Sequence, residues 1–179
     1  MTRIFEGLLQ VAFHIISVEP YIDPNDYEGV DLKAAFRGQI NGICGAATPG
    51  MLLLKTGLHT GHVSFTLDVL DAAPPIDETW QDIVEVSFTP ASGGVFLQEV
   101  YGTEPICSIP LLQATHRVRY CARNMDCGPD LDRLGGNETV DSYALMFWMD
   151  DIAPDVIVKQ TSHSAALQHQ WAQLLKLES

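Results

Sequence analysis

Basic residues are scarce in this chain: ten Lys and Arg stand against 23 Asp and Glu in 179 residues, for a formal net charge of −13. That balance argues against broad binding to nucleic acid, because a phosphate backbone would be repelled, and it favours a cationic partner. Long apolar runs are missing as well. Stretches such as Met51 to Leu54 and Ala144 to Met149 fall far short of the ~18 residues that a membrane-spanning helix needs. Glu6 interrupts the first apolar residues, so no secretory leader is expected and the protein is expected to be cytoplasmic.

Cys44, Cys107, Cys121 and Cys127 contain no Cys-x-x-Cys pair, which removes zinc-knuckle and thioredoxin-like classes and leaves reduced thiols as the expectation. Gly-x-Ser-x-Gly, the phosphate-binding loop and the dinucleotide fingerprint are all absent. No cofactor is therefore expected, and the chain reads as non-enzymatic more readily than as an enzyme.

What is present is a folded domain's worth of apolar residues, 46% of the chain, with 18% charged. The size suits one domain: a sandwich over residues 1–150 and a helical extension over 151–179 packed on it. Period-two patterning dominates up to about residue 150. It predicts strands from Leu8 to Val18, on both sides of Pro49-Gly50, over residues 61–70, from Trp80 to Thr89, from Gly94 to Tyr101, through the arginine-rich residues 115–123, and from Tyr143 to Met149. The breaker-rich residues 19–26, the prolines after Asp71 and the glycine-rich residues 124–137 read as connections, and a short helix is expected within Asp31 to Arg37. Tyr143 to Met149 is apolar on both faces, so it should be covered twice, with the tail as the expected second cover. In that tail, Thr161 or Ser162 is expected to cap a helix whose stripe is Leu167, Trp171, Leu174 and Leu175. About eight strands without alternating helices predict a mainly β fold. It is an antiparallel two-sheet sandwich, jelly-roll-like or immunoglobulin-like, with a C-terminal helix packed on it.

Three of the six arginines, Arg117, Arg119 and Arg123, lie in Thr-His-Arg-Val-Arg-Tyr-Cys-Ala-Arg. In a strand they share one face, and Val118, Tyr120 and Ala122 share the core face. The ladder is either neutralised by cross-strand carboxylates or is a ligand-binding surface. Asp71, Asp77, Glu78 and Asp82 surround prolines that hold one segment extended, so they are candidates for docking into a basic groove at low ordering cost. His59 and His62, at i, i+3 between glycines, are candidate metal ligands, although a catalytic zinc needs a third that no nearby residue supplies.

His116 to Asp126 and Asp141 to Trp148, within residues 60–171, resemble an uncharacterised family of β-rich bacterial proteins. His14, the Gly-x-Val-x-Phe-x-Leu run at 61–67, Val84 to Phe88 and the late Tyr-x-Leu-x-Phe-Trp strand resemble the competence protein J family, β-rich inhibitors of a DNA-entry nuclease. That resemblance implies an acidic protein-binding module, an inhibitor or immunity protein for a basic nuclease or toxin. The alternative is a sandwich that binds a small ligand or carbohydrate, or a metal-dependent enzyme using His59 and His62.

Overall fold

The computed structural model describes residues 1–23, 25, 29–99, 104–131 and 135–175, without the side chain of Asp130. Residues 24 and 26 of the expected first connection, the expected strand end at Tyr101 and residues 132–134 of the expected loop lie outside them. Two sheets face each other. One has six strands in the order β1 (Thr2–Val11), β5 (Gly61–Leu70), β10 (Ser142–Met149), β9 (His116–Arg123), β6 (Asp82–Phe88) and β11 (Val156–Lys159). The other has five, in the order β3 (Cys44–Gly45), β4 (Leu52–Lys55), β2 (Ile15–Glu19), β7 (Val95–Glu99) and β8 (Cys107–Ile109). Three helices complete the described elements: α1 (Leu32–Phe36), α2 (Cys127–Leu131) and α3 (His163–Leu175). None is long and apolar enough to cross a membrane.

Alternation builds the core as expected. Val63, Phe65 and Leu67 of β5, Val84, Val86 and Phe88 of β6, Val118 and Tyr120 of β9, and Tyr143, Leu145 and Phe147 of β10 all point inward and are buried. Tyr120 and Tyr143 stack with centroids 5.6 Å apart. Each buried phenol is satisfied: Tyr120 donates to the Lys55 carbonyl at 2.9 Å, and Tyr143 donates to Asp141 at 2.6 Å while accepting from the Gly57 amide at 2.7 Å.

Besides the additional short strands β8 and β11, four differences from the sequence expectation shape the fold. Leu8 to Val18 is two strands in different sheets, because the chain reverses at Phe13 and His14, whose φ values are +56° and +63°. Phe is not a usual left-handed turn former, and His adopts that region less readily than Gly, so composition carried little signal. Pairing is antiparallel except between β5 and β10, which run in parallel. The glycine-rich connection after β9 contains α2, seated where Gly128 meets the backbone of Gly57 and Leu58, an approach that leaves no room for a Cβ. Finally, α3 does not cover β10: with α1 it covers the outer face of the five-stranded sheet, packing on Ile15 and Leu53. Its buried residues are Ala165, His169, Ala172 and Leu175, whereas Leu167 and Leu174 face solvent. Gly42 meets the backbone of Gln168 and His169 so closely that a Cβ there would have no room.

Candidate functional site

The second cover of β10 is the connection from β5 to β6. By register β5, β10 and β6 run the same way, so residues 71–81 must return along the sheet across β10 and β9 to reach the start of β6. A crossover between parallel strands is normally a helix. Here two prolines forbid helix continuation, and the segment is an extended strap. Trp80 at its end and Met146 pack on Ile83, Cys121 and Ala144, a small apolar layer outside the main core.

The arginine ladder is what holds the strap down. Arg119 donates from Nη1 to the carbonyls of Pro74 and Pro75 at 2.8 and 3.1 Å, from Nε to Glu85 at 2.9 Å, and lies over the Trp148 ring at 5.4 Å. Arg117 donates to Ser87, to the Ala153 and Pro154 carbonyls at 3.0 and 3.1 Å, and to Glu85 at 3.4 Å. Arg123 grips Thr79 through its carbonyl and hydroxyl and stacks over Trp80 at 4.7 Å. Glu85 stands directly opposite Arg119 in the register of β6 and β9, as a cross-strand carboxylate should. Arg117 and Arg119 are only 5% and 6% exposed, so their guanidiniums are committed to these partners, whereas Arg123 at the end of the ladder is partly exposed.

Pinned from below, the strap turns its carboxylates outward. Asp71 is almost fully exposed and pairs with the N-terminal amine at 2.8 Å, which holds its carboxyl below the ordinary value. Asp77 accepts from the Thr79 amide at 2.9 Å, and that bond lowers its pKa as well. Glu78 pairs with Lys159 at 3.0 Å, and its side chain stays largely in solvent. The pairs made by Asp71 and Glu78 are surface ion pairs, which contribute little. Lys159 also donates to the Glu78 carbonyl, another tie on the strap.

Asp82 sits apart from this group. It is completely buried, and its Oδ1 accepts from the amides of Thr161 and Ser162 at 2.8 and 3.0 Å. Asp126 accepts from His163 and Ser164 at 3.0 and 2.7 Å, and Ser162 Oγ accepts from Ala165 at 3.1 Å, so the amides entering α3 are capped in series. Burial raises the Asp126 carboxyl, but the hydrogen bonds from Ser164 and His163 outweigh it and the net shift is downward. Asp82 is thus an anchor for α3 rather than part of the exposed acidic surface. The sequence could not reveal this, since its partners lie in another element 79 residues away.

His59 and His62 do not converge. His62 donates from Nδ1 to the Gly136 carbonyl at 2.8 Å on the outer side of β5, whereas His59 lies on the preceding connection with Nδ1 2.8 Å from the Thr60 hydroxyl. The His14 and Phe13 rings lie 4.8 and 5.3 Å from the His59 ring, both edge-on. Among the described residues, no group of three or more His, Cys, Asp or Glu is arranged to hold a metal ion.

No protein-family model matches the chain, and no curated protein sequence matches it. Two solved structures share its fold. One is ComJ from Bacillus subtilis, described as an inhibitor of the DNA degrading activity of NucA, at 14% identity and a TM-score of 0.53 over 83% of this chain and 98% of that one. The other is the crocagin biosynthetic gene J product, at 13% identity and a TM-score of 0.51 over 84% of this chain and all of that one.

Proposed function

We propose that this chain is an acidic protein-binding module that inhibits a basic nuclease or toxin by docking its proline strap into the partner's cationic groove. One observation carries the reading. The strap is held extended by carbonyl bonds to Arg119, by Thr79 on Arg123 and by Glu78 on Lys159, while Asp71, Asp77 and Glu78 remain exposed. A segment already ordered in the free protein loses little entropy on binding, and its fixed charges steer a basic partner to one orientation. The net charge of −13 supports the same reading, as does the fold shared with an inhibitor of a nuclease. The working unit in this proposal is the whole chain: the expected division at residue 150 is not a boundary of the sandwich, because β11 belongs to the six-stranded sheet, and the segment around it supplies Lys159 and the Ala153 and Pro154 carbonyls to the outer face.

The test is affinity capture on the immobilised full chain from an extract of the native cell at low salt, followed by salt elution. The expected result is a stoichiometric basic nuclease or toxin whose activity falls when free chain is added back. Recovery of no stoichiometric basic protein would overturn the reading.

A further inference from the structure

Helix α3 turns an uncharged side to solvent. His163, Leu167, Gln170 and Leu174 are exposed and recur at spacings of four, three and four, the spacing of a helix-pairing seam. Leu167 and Leu174 are 50% and 59% exposed. None of the 13 residues of α3 is Asp, Glu, Lys or Arg, in a chain whose formal net charge is −13. The solvent side of a globular helix ordinarily carries charged residues, so two exposed leucines on an uncharged stripe are a departure that the fold of a single chain does not require.

The rest of α3 is committed. Ala165, His169, Ala172 and Leu175 are buried, Gly42 meets the backbone at His169, and Trp171 packs edge-on against Phe36 at 5.5 Å. Asp82, Asp126 and Ser162 fix its first turn. The outward stripe is therefore presented on a helix that cannot roll to bury it.

We propose that this stripe is the contact between two copies of the chain, with α3 of one packed antiparallel on α3 of the other about a two-fold axis at Gln170. A two-fold contact has to complement itself, and an uncharged stripe does so without opposing like charges. The excess of carboxylates makes two copies repel, so the stripe is where they approach with the least repulsion. A basic partner gains little there, because the stripe offers it no carboxylate. Gln170 makes no hydrogen bond within the described chain, and its amide both donates and accepts, so two copies of it can pair across the axis. In the antiparallel arrangement Leu167 of each copy stands at the level of Leu174 of the other, and opposite ends of the two helix dipoles lie together.

The helix is about 20 Å long. Ile40, 38% exposed, extends the apolar strip and is tied to it by Gln173, whose Nε2 donates to the Ile40 carbonyl at 3.1 Å. A single helix pair of this length falls below the roughly 1,200 Å² of an ordinary stable interface, so the dimer forms and dissociates with concentration. Trp171, Ala172 and Leu175 place the C-terminal half of α3 over the five-stranded sheet, whereas the strap crosses the six-stranded one. Pairing through α3 leaves the strap carboxylates outward, so the dimer presents two straps.

The test is sedimentation velocity of the full chain from about 1 to about 200 μM, at low and moderate salt. The expected result is a monomer at the lowest concentration and a dimer at the highest. Added salt is expected to strengthen the pairing by screening self-repulsion, the reverse of its effect on a basic partner. Gln170→Glu sets two carboxylates on the axis and is expected to weaken the dimer at least about tenfold. Leu167→Gln with Leu174→Gln, two exposed and uncharged changes, is expected to abolish it at the same concentrations while Tm stays within about 2 °C. A wild-type chain that remains monomeric at about 200 μM overturns the proposal, as does a dimer that both variants leave intact. If the wild type is monomeric and the variants lose inhibition of a captured nuclease, the stripe belongs to that partner and the second copy is excluded.

Discussion

Glu85 serves two nearly buried guanidiniums, accepting from Arg119 at 2.8 and 2.9 Å and pairing with Arg117 at 3.4 Å. One carboxylate for two cations leaves the cluster positive, and the carbonyls of Pro74, Pro75, Ala153 and Pro154 offset the remainder. Removing Glu85 would leave both guanidiniums without a counter-charge, so Glu85→Ala is expected to lower stability by about 3–5 kcal/mol in urea unfolding. A loss below about 1 kcal/mol would mean that the ladder behaves like a surface pair. His169 makes a separate prediction. Its Nδ1 accepts from the Gly42 amide at 2.9 Å, which a protonated ring cannot do, and burial lowers its pKa against the opposing influence of Asp82 and Asp155. The unfolded chain therefore takes up a proton first. Stability from this residue is complete above the ordinary value of 6.5 and is lost as pH falls below it. His14 and His116 are shifted the same way, so the check is whether His169→Gln, which keeps an acceptor, flattens part of the fall in Tm between neutral and mildly acidic pH. At this scale the alternation of Arg117, Arg119 and Arg123 with Val118, Tyr120 and Ala122 was legible, because strand period alone decides it. The burial of the ladder was not, because it depends on a segment more than 40 residues upstream.

Two elements decide the outer faces, the strap and α3. The strap was legible as a break in the ladder, since Pro74 and Pro75 cannot continue a strand. Its path across β10 and β9 was not, because that follows from the parallel pairing of β5 with β10. If preorganisation is what makes it useful, Pro74→Gly with Pro75→Gly should weaken partner binding more than it lowers Tm, with faster amide exchange over residues 76–80 as the accompanying signature. Helix α3 was legible as a helix with Ser162 as its cap, and Ser162→Ala is expected to cost about 1 kcal/mol in thermal or urea unfolding. Its buried side departs from the expected stripe: Leu167 and Leu174 face solvent, whereas Ala165, His169, Ala172 and Leu175 are buried, with Gly42 against the backbone at His169. Strands β8 and β11 are not legible in the sequence because three and four residues are too short to show a period.

For the whole molecule, period-two patterning and frequent breakers sufficed to indicate a two-sheet sandwich with a C-terminal helix. Strand order had no counterpart in local pattern, since it is set by pairings between distant segments. Charge is the property that acts at this scale. The outer face carries fixed carboxylates on a strap whose own cations are committed beneath it, and that arrangement is the proposed inhibitory surface. The most direct measurement is the affinity of the captured nuclease or toxin for the wild-type chain and for the triple variant Asp71→Asn, Asp77→Asn and Glu78→Gln, over a series of salt concentrations. The account predicts wild-type binding that weakens steeply with salt, and a triple variant that binds at least about tenfold more weakly with a shallower salt dependence and an unchanged fold. Equal affinities with equal salt dependence would contradict it.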